Sequence, residues 1–147
     1  METTYLIDTN VIVYAYNESV EFHESALKIL ENALNKNIKA VIADKSLFEF
    51  FAIITDKRRV ESPVSTDEAI ETIHFLVASN ITIIYSSPYT FLRTLELANK
   101  YKIRKQEIFD LNLVALMLQN EVDTIITANE KHFKDIKEIK VFNPFTQ

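Results

Sequence analysis

The chain has 147 residues, and none of them is glycine or cysteine. Without glycine there is neither a Walker A loop nor a G-x-G-x-x-G fingerprint, since both need glycine for backbone to approach phosphate. ATP-driven and nicotinamide chemistry of those common types is excluded. The left-handed backbone positions at turns and helix ends must fall to asparagine or aspartate. Asn17, Asn37, Asn80 and Asn120 stand where such turns are expected. Without cysteine there is no zinc–thiolate site, no disulfide framework and no thiol nucleophile. No apolar run reaches the 18 or so residues of a membrane span. The opening Met1-Glu2-Thr3-Thr4 lacks the positive start of an export signal. The expected location is therefore cytoplasmic, with no membrane partner. Positive charge is not in excess either: 16 Lys and Arg against 21 Asp and Glu give a net charge of −5. A passive nucleic-acid coat would need a basic surface. An enzyme whose bound metal supplies the positive charge would not.

Apolar residues make up 48% and charged residues 25%, which reads as one globular domain over residues 1–147. Thr4–Ile7, Lys39–Ala43, Ile81–Ile84, Asp123–Thr127 and Lys140–Phe142 read as strands. Helices are expected over Val11–Tyr16, Val20–Asn35, Ser46–Asp56, 66–78, 88–101 and Gln106–Asn120. Ser65-Thr66-Asp67-Glu68 is a capping box, and Ser87-Pro88 places proline at a first helical position. Short, continuously apolar strands alternating with helices predict an α/β chain. Its expected architecture is a three-layer α/β/α sandwich around a short, mostly parallel sheet.

In such sheets ligands bind beyond the carboxyl ends of the strands. Asp8 follows the first strand, and Asn129 and Glu130 follow the fourth. Glu49 lies one turn into the helix after the second strand, and Asp110 lies at the start of the helix leading to the fourth. All three acids sit in apolar runs: Leu6-Ile7 before Asp8, Leu47-Phe48 and Phe50-Phe51 around Glu49, Ile108-Phe109 and Leu111 around Asp110. Uncompensated buried carboxylates are expensive, and neighbouring ones repel. Mg²⁺ or Mn²⁺ relieves both costs, because hard cations prefer oxygen ligands. Each acid also has a purely structural reading. Ser46-x-x-Glu49 is a capping box, Asp110 suits the positive end of its helix, and Asp8 is an N-cap.

Four segments in order resemble the PIN-domain family, in particular its small VapC-like toxin ribonucleases. They are Leu6-Ile7-Asp8-Thr9-Asn10-Val11-Ile12, Ser46-Leu47-Phe48-Glu49, Asp110-Leu111-Asn112-Leu113-Val114-Ala115 and Ile125-Ile126-Thr127-Ala128-Asn129-Glu130-Lys131-His132-Phe133. Val141-Phe142-Asn143-Pro144 also fits. The resemblance covers nearly the whole chain. It implies a metal-dependent endoribonuclease, the toxin of a type II toxin–antitoxin pair, with Mg²⁺ or Mn²⁺ as cofactor. The implied partners are RNA as substrate, a small cognate antitoxin and a second copy of the chain. By the same resemblance Asp8 and Asp110 are the main metal ligands and Glu49 is a ligand or orients the attacking water. Asn10 and Thr127 support them by hydrogen bonds. Many members carry aspartate where this chain has Asn129, with Glu130 the neighbouring alternative; position favours Asn129. With one charge fewer, a single tightly bound ion is expected.

Lys57-Arg58-Arg59 and Lys100, Lys102, Arg104, Lys105 are basic clusters, and Arg104 and Lys105 are candidates for RNA contact. Their plainer reading is solvated helix ends. Tyr14 and Tyr16 suit core packing better than base stacking, and His23, His74 and His132 suit structural or surface roles. Two rival functions remain at this stage. A non-catalytic PIN-like RNA- or protein-binding module would have lost its fourth acid. A metal-dependent phosphatase would use Asp8 as nucleophile, but Asp8-Thr9-Asn10 lacks the second acid of the usual Asp-x-Asp pair.

Overall fold

The structure is a computed structural model that describes residues 2–145. Met1, on which the export-signal reading partly rests, lies outside the described residues, as do Thr146 and Gln147. The strands are β1 (Thr4–Ile7), β2 (Lys39–Ala43), β3 (Thr82–Ile84), β4 (Thr124–Ile126) and β5 (Lys140–Phe142). The α-helices are α1 (Thr9–Ala15), α2 (His23–Leu34), α3 (Asp44–Ile54), α4 (Thr66–Val77), α5 (Pro88–Tyr101) and α6 (Glu107–Gln119). A short 3₁₀ turn, Glu130–His132, follows β4.

The strands form one sheet in the order β3-β2-β1-β4-β5, and every pairing is parallel. Successive side chains of a strand face opposite sides, so a continuously apolar strand feeds two cores. Ile7, Ile42 and Ile126 join the core beneath α1–α4 with Phe50 and Leu76. Leu6, Val41 and Ile125 join the core beneath α5 and α6 with Leu97, Leu116 and Met117. This is the expected three-layer sandwich. Among the described residues no helix is long and apolar enough to cross a membrane.

Two local expectations are corrected. Helix α3 starts at Asp44 with Ala43 as its N-cap and no side-chain cap. Ser46 is thus inside the helix, fully buried with its Oγ unpartnered, so Ser46 and Glu49 are not a capping box. The left-handed positions fall not to asparagine but to Lys36, Lys102, Lys105 and Glu121. The asparagines serve through their side chains instead. Asn120 Nδ2 donates to the Leu116 carbonyl at 2.8 Å, and Asn80 Nδ2 to the Leu34 carbonyl at 2.7 Å. Asn37 Nδ2 bonds Asn32 Oδ1, and Asn17 Oδ1 accepts from the Ser19 N–H. The exposed lysines and glutamate adopt left-handed backbone at a cost of about 1–2 kcal/mol each.

Candidate active site

The strand order sets the location. From β1 the chain moves outward through β2 and β3 on one side, then returns to place β4 and β5 on the other. The switch point, where a crevice opens in this class of sheet, lies between the carboxyl ends of β1 and β4. Asp8 follows β1 directly, and Thr127 follows β4. The Asp8 N–H donates to the Ile126 carbonyl at 3.0 Å, tying the two strand ends together.

Asp8 does cap α1, its Oδ1 accepting from the Thr9 N–H at 2.8 Å. Its other oxygen has a different role. Oδ2 accepts from Thr127 Oγ1 at 2.7 Å and from Asn10 Nδ2 at 3.1 Å. Thr127 is fully buried, and its hydroxyl accepts in turn from Asn10 Nδ2 at 3.3 Å and the Asn129 N–H at 3.0 Å. Asn10 Oδ1 accepts from the Ala128 N–H at 3.0 Å. One donor and two acceptor positions are all a hydroxyl has, so Thr127 is saturated and the Asp8 carboxylate is held in one orientation.

Glu49 and Asp110 arrive from α3 and α6. Burial is the largest influence on Glu49 and raises its pKa; the charge of Asp8 raises it further, and Asp110 adds to that. Lys45 opposes the rise, as does the neighbouring Thr9 hydroxyl. Asp110 is likewise raised, first by burial and then by Asp8, against the opposing influence of His132 and Lys45. Asp8 therefore acts on both Glu49 and Asp110, and Asp110 on Glu49. The capping alternative for Glu49 is gone, and the N-cap role of Asp8 coexists with its place in the site.

Two residues of this cluster were not foreseen as members. Lys45, four positions before Glu49 on α3, places its ammonium against α6, donating to Asn112 Oδ1 and, at 3.3 Å, to the Phe109 carbonyl. Desolvation lowers its pKa, opposed by Glu49, Asp44, Asp110 and Asp8. The i, i+4 spacing of Lys45 and Glu49 was the available signal. His132, expected in a surface or structural role, stands with Nδ1 3.3 Å from Asp110 Oδ2. The 3₁₀ turn after β4, absent from the expected element list, carries it there.

The fourth position is looser. Asn129 is exposed, and its backbone N–H rather than its side chain makes the bond to Thr127. The Glu130 carboxylate accepts from Asn143 Nδ2 at 3.3 Å. Arg104 and Lys105 are exposed in the turn before α6, and neither lines the cleft of about 660 Å³ that opens beside Asp110. That cleft is bordered by Tyr101, Phe109, Lys131, His132 and Ile136. Of the other basic residues, Lys100 is paired with Glu138 and Arg58 with Asp56. Tyr14 packs on Phe22 and Phe145 against the core, as expected, whereas Tyr16 edges onto Phe50 but stays exposed.

Whether these residues suit a divalent ion can be tested on the donors. Asp8, Glu49 and Asp110 all act on the one ammonium of Lys45. The buried Thr9 hydroxyl at their side has no close partner. Every candidate donor is an oxygen, the set a hard cation takes. Among the described residues no three acidic or histidine side chains close into a ready-made cage.

The sequence matches the PIN domain family over residues 5–139. The chain belongs to that family. Ribonuclease VapC24 from Mycobacterium tuberculosis is 24% identical over 140 residues, covering 95% of this chain and 96% of its own. Two solved structures share the fold. One is VapBC2 from Rickettsia felis bound to a DNA fragment from their promoter, with TM-score 0.66 and 21% identity over 96% of this chain and 98% of that one. The other is VapC20 from Mycobacterium tuberculosis, a sarcin-ricin loop cleaving toxin, with TM-score 0.61 and 13% identity over 82% of this PIN-domain chain and 86% of that one.

Proposed function

We propose that this PIN-domain chain is a divalent-metal-dependent endoribonuclease, the toxin of a toxin–antitoxin pair. The observation that carries the chemistry is the gathering of Asp8, Glu49 and Asp110 from three elements at the switch point of the sheet. Burial and mutual repulsion raise Glu49 and Asp110 there, and Lys45, with His132 at Asp110, only partly offsets them. A fold stabilised for its own sake would pair such acids or replace them. The likeness to VapC ribonucleases supports RNA as the substrate.

Asp8 and Asp110 would hold a Mg²⁺ or Mn²⁺ ion, with Glu49 beside it. When bound, such an ion lowers the pKa of a coordinated water and neutralises charge on a phosphate. The chain's own part is to fix the acids. Thr127 and Asn10 orient Asp8. Glu49, raised above its ordinary value by burial and the charge of Asp8, would accept a hydrogen bond from the attacking water and take its proton. His132 orients Asp110 and borders the cleft through which RNA would pass. The partners proposed are a small antitoxin, supported by the VapB-bound structural relatives, and a second copy of the chain. Support for a protein partner is the outer face of α5, where Tyr89, Phe91, Leu92 and Leu95 are all exposed.

The retained acids count against a non-catalytic binding module. Both Asp8 oxygens are engaged in hydrogen bonds and Asn10 stands where a second acid would be needed, which counts against an aspartyl-phosphate phosphatase. Incubation of the purified protein with single-stranded RNA tests the reading. Cleavage is expected with Mg²⁺ or Mn²⁺, none with EDTA, and a loss of at least about a hundredfold in Asp8→Asn and Asp110→Asn, since removing even supporting residues of metal sites costs 10–100-fold. Full activity in those variants would remove the site assignment.

A further inference from the structure

Lys45 differs from the chain's ion-paired cations, and, unlike the exposed Lys102 that donates to Asn99 Oδ1 at 2.8 Å, it is partly buried. Lys100, Arg58 and Arg93 each rest on a carboxylate, Glu138, Asp56 and Glu96 respectively. Lys45 is near enough to Asp8, Asp44, Glu49 and Asp110 to feel all four charges. Among the described residues it forms no ion pair with any of them. Its two hydrogen-bond acceptors, Asn112 Oδ1 and the Phe109 carbonyl, are neutral. Neutral acceptors fix an ammonium in space without cancelling its charge. An ammonium has three donors, and these bonds use two.

The anchor is itself anchored. Asn112 Nδ2 donates to Thr94 Oγ1 at 3.1 Å, and Thr94 Oγ1 donates to the Thr90 carbonyl at 2.6 Å. Thr94 and Thr90 are buried in α5. With its nitrogen committed to Thr94, the Asn112 amide must present its oxygen to Lys45. A chain of side chains therefore runs from the core of α5 through α6 to a partly buried ammonium at the end of β2. Desolvating that ammonium has a cost, and a neutral donor would satisfy Asn112 and Phe109 without it. The feature that distinguishes Lys45 from such a donor is its charge.

We propose that Lys45 is a substrate-holding residue: its ammonium takes a non-bridging oxygen of the RNA phosphate at the acidic crevice, and Asn112 is the positioning residue that aims it. The inference rests on the ribonuclease reading. A free anion would be repelled by the surrounding acids, whereas a phosphodiester is delivered by the rest of the RNA strand. Asn112 touches no substrate in this account and acts only through Lys45.

The test measures binding of a fluorescein-labelled single-stranded RNA in EDTA, where no cleavage occurs, at a series of salt concentrations. Cleavage with Mn²⁺ is followed in parallel. Lys45→Gln keeps amide donors for Asn112 and Phe109 and removes only the charge. It is expected to reduce the slope of log affinity against log salt by about one phosphate contact. It should also lower kcat/KM by about ten- to a hundredfold, the range for a hydrogen bond to a charged group. Lys45→Arg should keep the slope. Asn112→Ala should keep the slope, because the charge remains, but lose part of kcat/KM. A purely structural Lys45 would shift the unfolding midpoint and leave the slope unchanged, and that result overturns the proposal. Equal cleavage by Lys45→Gln and an active parent also overturns it while leaving the ribonuclease reading intact. A parent that cuts no RNA overturns both.

Discussion

Glu49 within α3 and Glu138 in the turn before β5 are both glutamates, and the fold treats them in opposite ways. At Glu138, desolvation pushes the pKa up, but hydrogen bonds from Lys100 Nζ at 2.7 Å and from the Tyr101 hydroxyl outweigh it and hold the group below the ordinary range. The Tyr101 oxygen also accepts from the Lys137 N–H at 2.9 Å, closing a small clamp between α5 and the approach to β5. At Glu49, burial and the charge of Asp8 dominate and the group is held above that range. The chain can pair an acid fully when stability is the only demand. It leaves Glu49 and Asp110 undercompensated, and both lie at the crevice between β1 and β4. Undercompensated acids at a ligand-binding position are what an incoming cation needs.

The contrast is sharpest in activity. Glu49→Gln should cost cleavage about a hundredfold, the scale of losing a preorganised group at the reacting centre, whereas Glu138→Gln should cut RNA like the parent. Equal losses in the two would erase the distinction. Next in size is Thr127→Val, which keeps the shape and removes the hydroxyl that Asp8, Asn10 and Asn129 share. Activity should fall about 10–100-fold, and the unmet buried partners should cost about 1–3 kcal/mol of stability in denaturant unfolding.

Stability in EDTA gives the two glutamates opposite signs. A depressed carboxylate contributes stability above its unfolded pKa that is lost as pH falls through its folded pKa. Glu138→Gln should therefore lower the unfolding midpoint by a few degrees at about pH 7, with the difference shrinking as pH falls through the depressed folded pKa. A raised carboxylate does the reverse, its destabilisation appearing as pH rises and remaining in full above the folded pKa. Glu49→Gln should raise the midpoint slightly at about pH 7 and leave it unchanged at about pH 3. Parallel shifts of one sign in both variants would break the comparison. The smallest effect is expected from Asn129→Asp. It adds a charge at an exposed position that is tied to Thr127 through its backbone N–H, so Mn²⁺ affinity should rise only a few-fold in a calorimetric titration.

The strands, the helices and the three acids were legible because each follows from local pattern. Alternating sides of an apolar strand, helical spacing and carboxylates set in apolar runs are all visible in one dimension. The three-layer sandwich was legible for the same reason. Lys45 and His132 were not, because their membership depends on contacts across the fold: Lys45 with Asn112, 67 positions away, and His132 with Asp110 through a 3₁₀ turn that no periodicity announces. The capping-box motif at Ser46 misled, since the same four residues occur inside a helix that begins two positions earlier. The asparagines misled in another way, by capping carbonyls with their side chains while exposed neighbours took the left-handed backbone.

The most direct measurement is a calorimetric titration of the metal-free chain with Mn²⁺, run beside Asp8→Asn and Asp110→Asn. An acidic crevice left short of positive charge should bind one ion per chain and raise the unfolding midpoint as Mn²⁺ increases, with both responses lost or strongly weakened in the two variants. A parent that binds no Mn²⁺, or variants that bind it as well as the parent, would contradict the account.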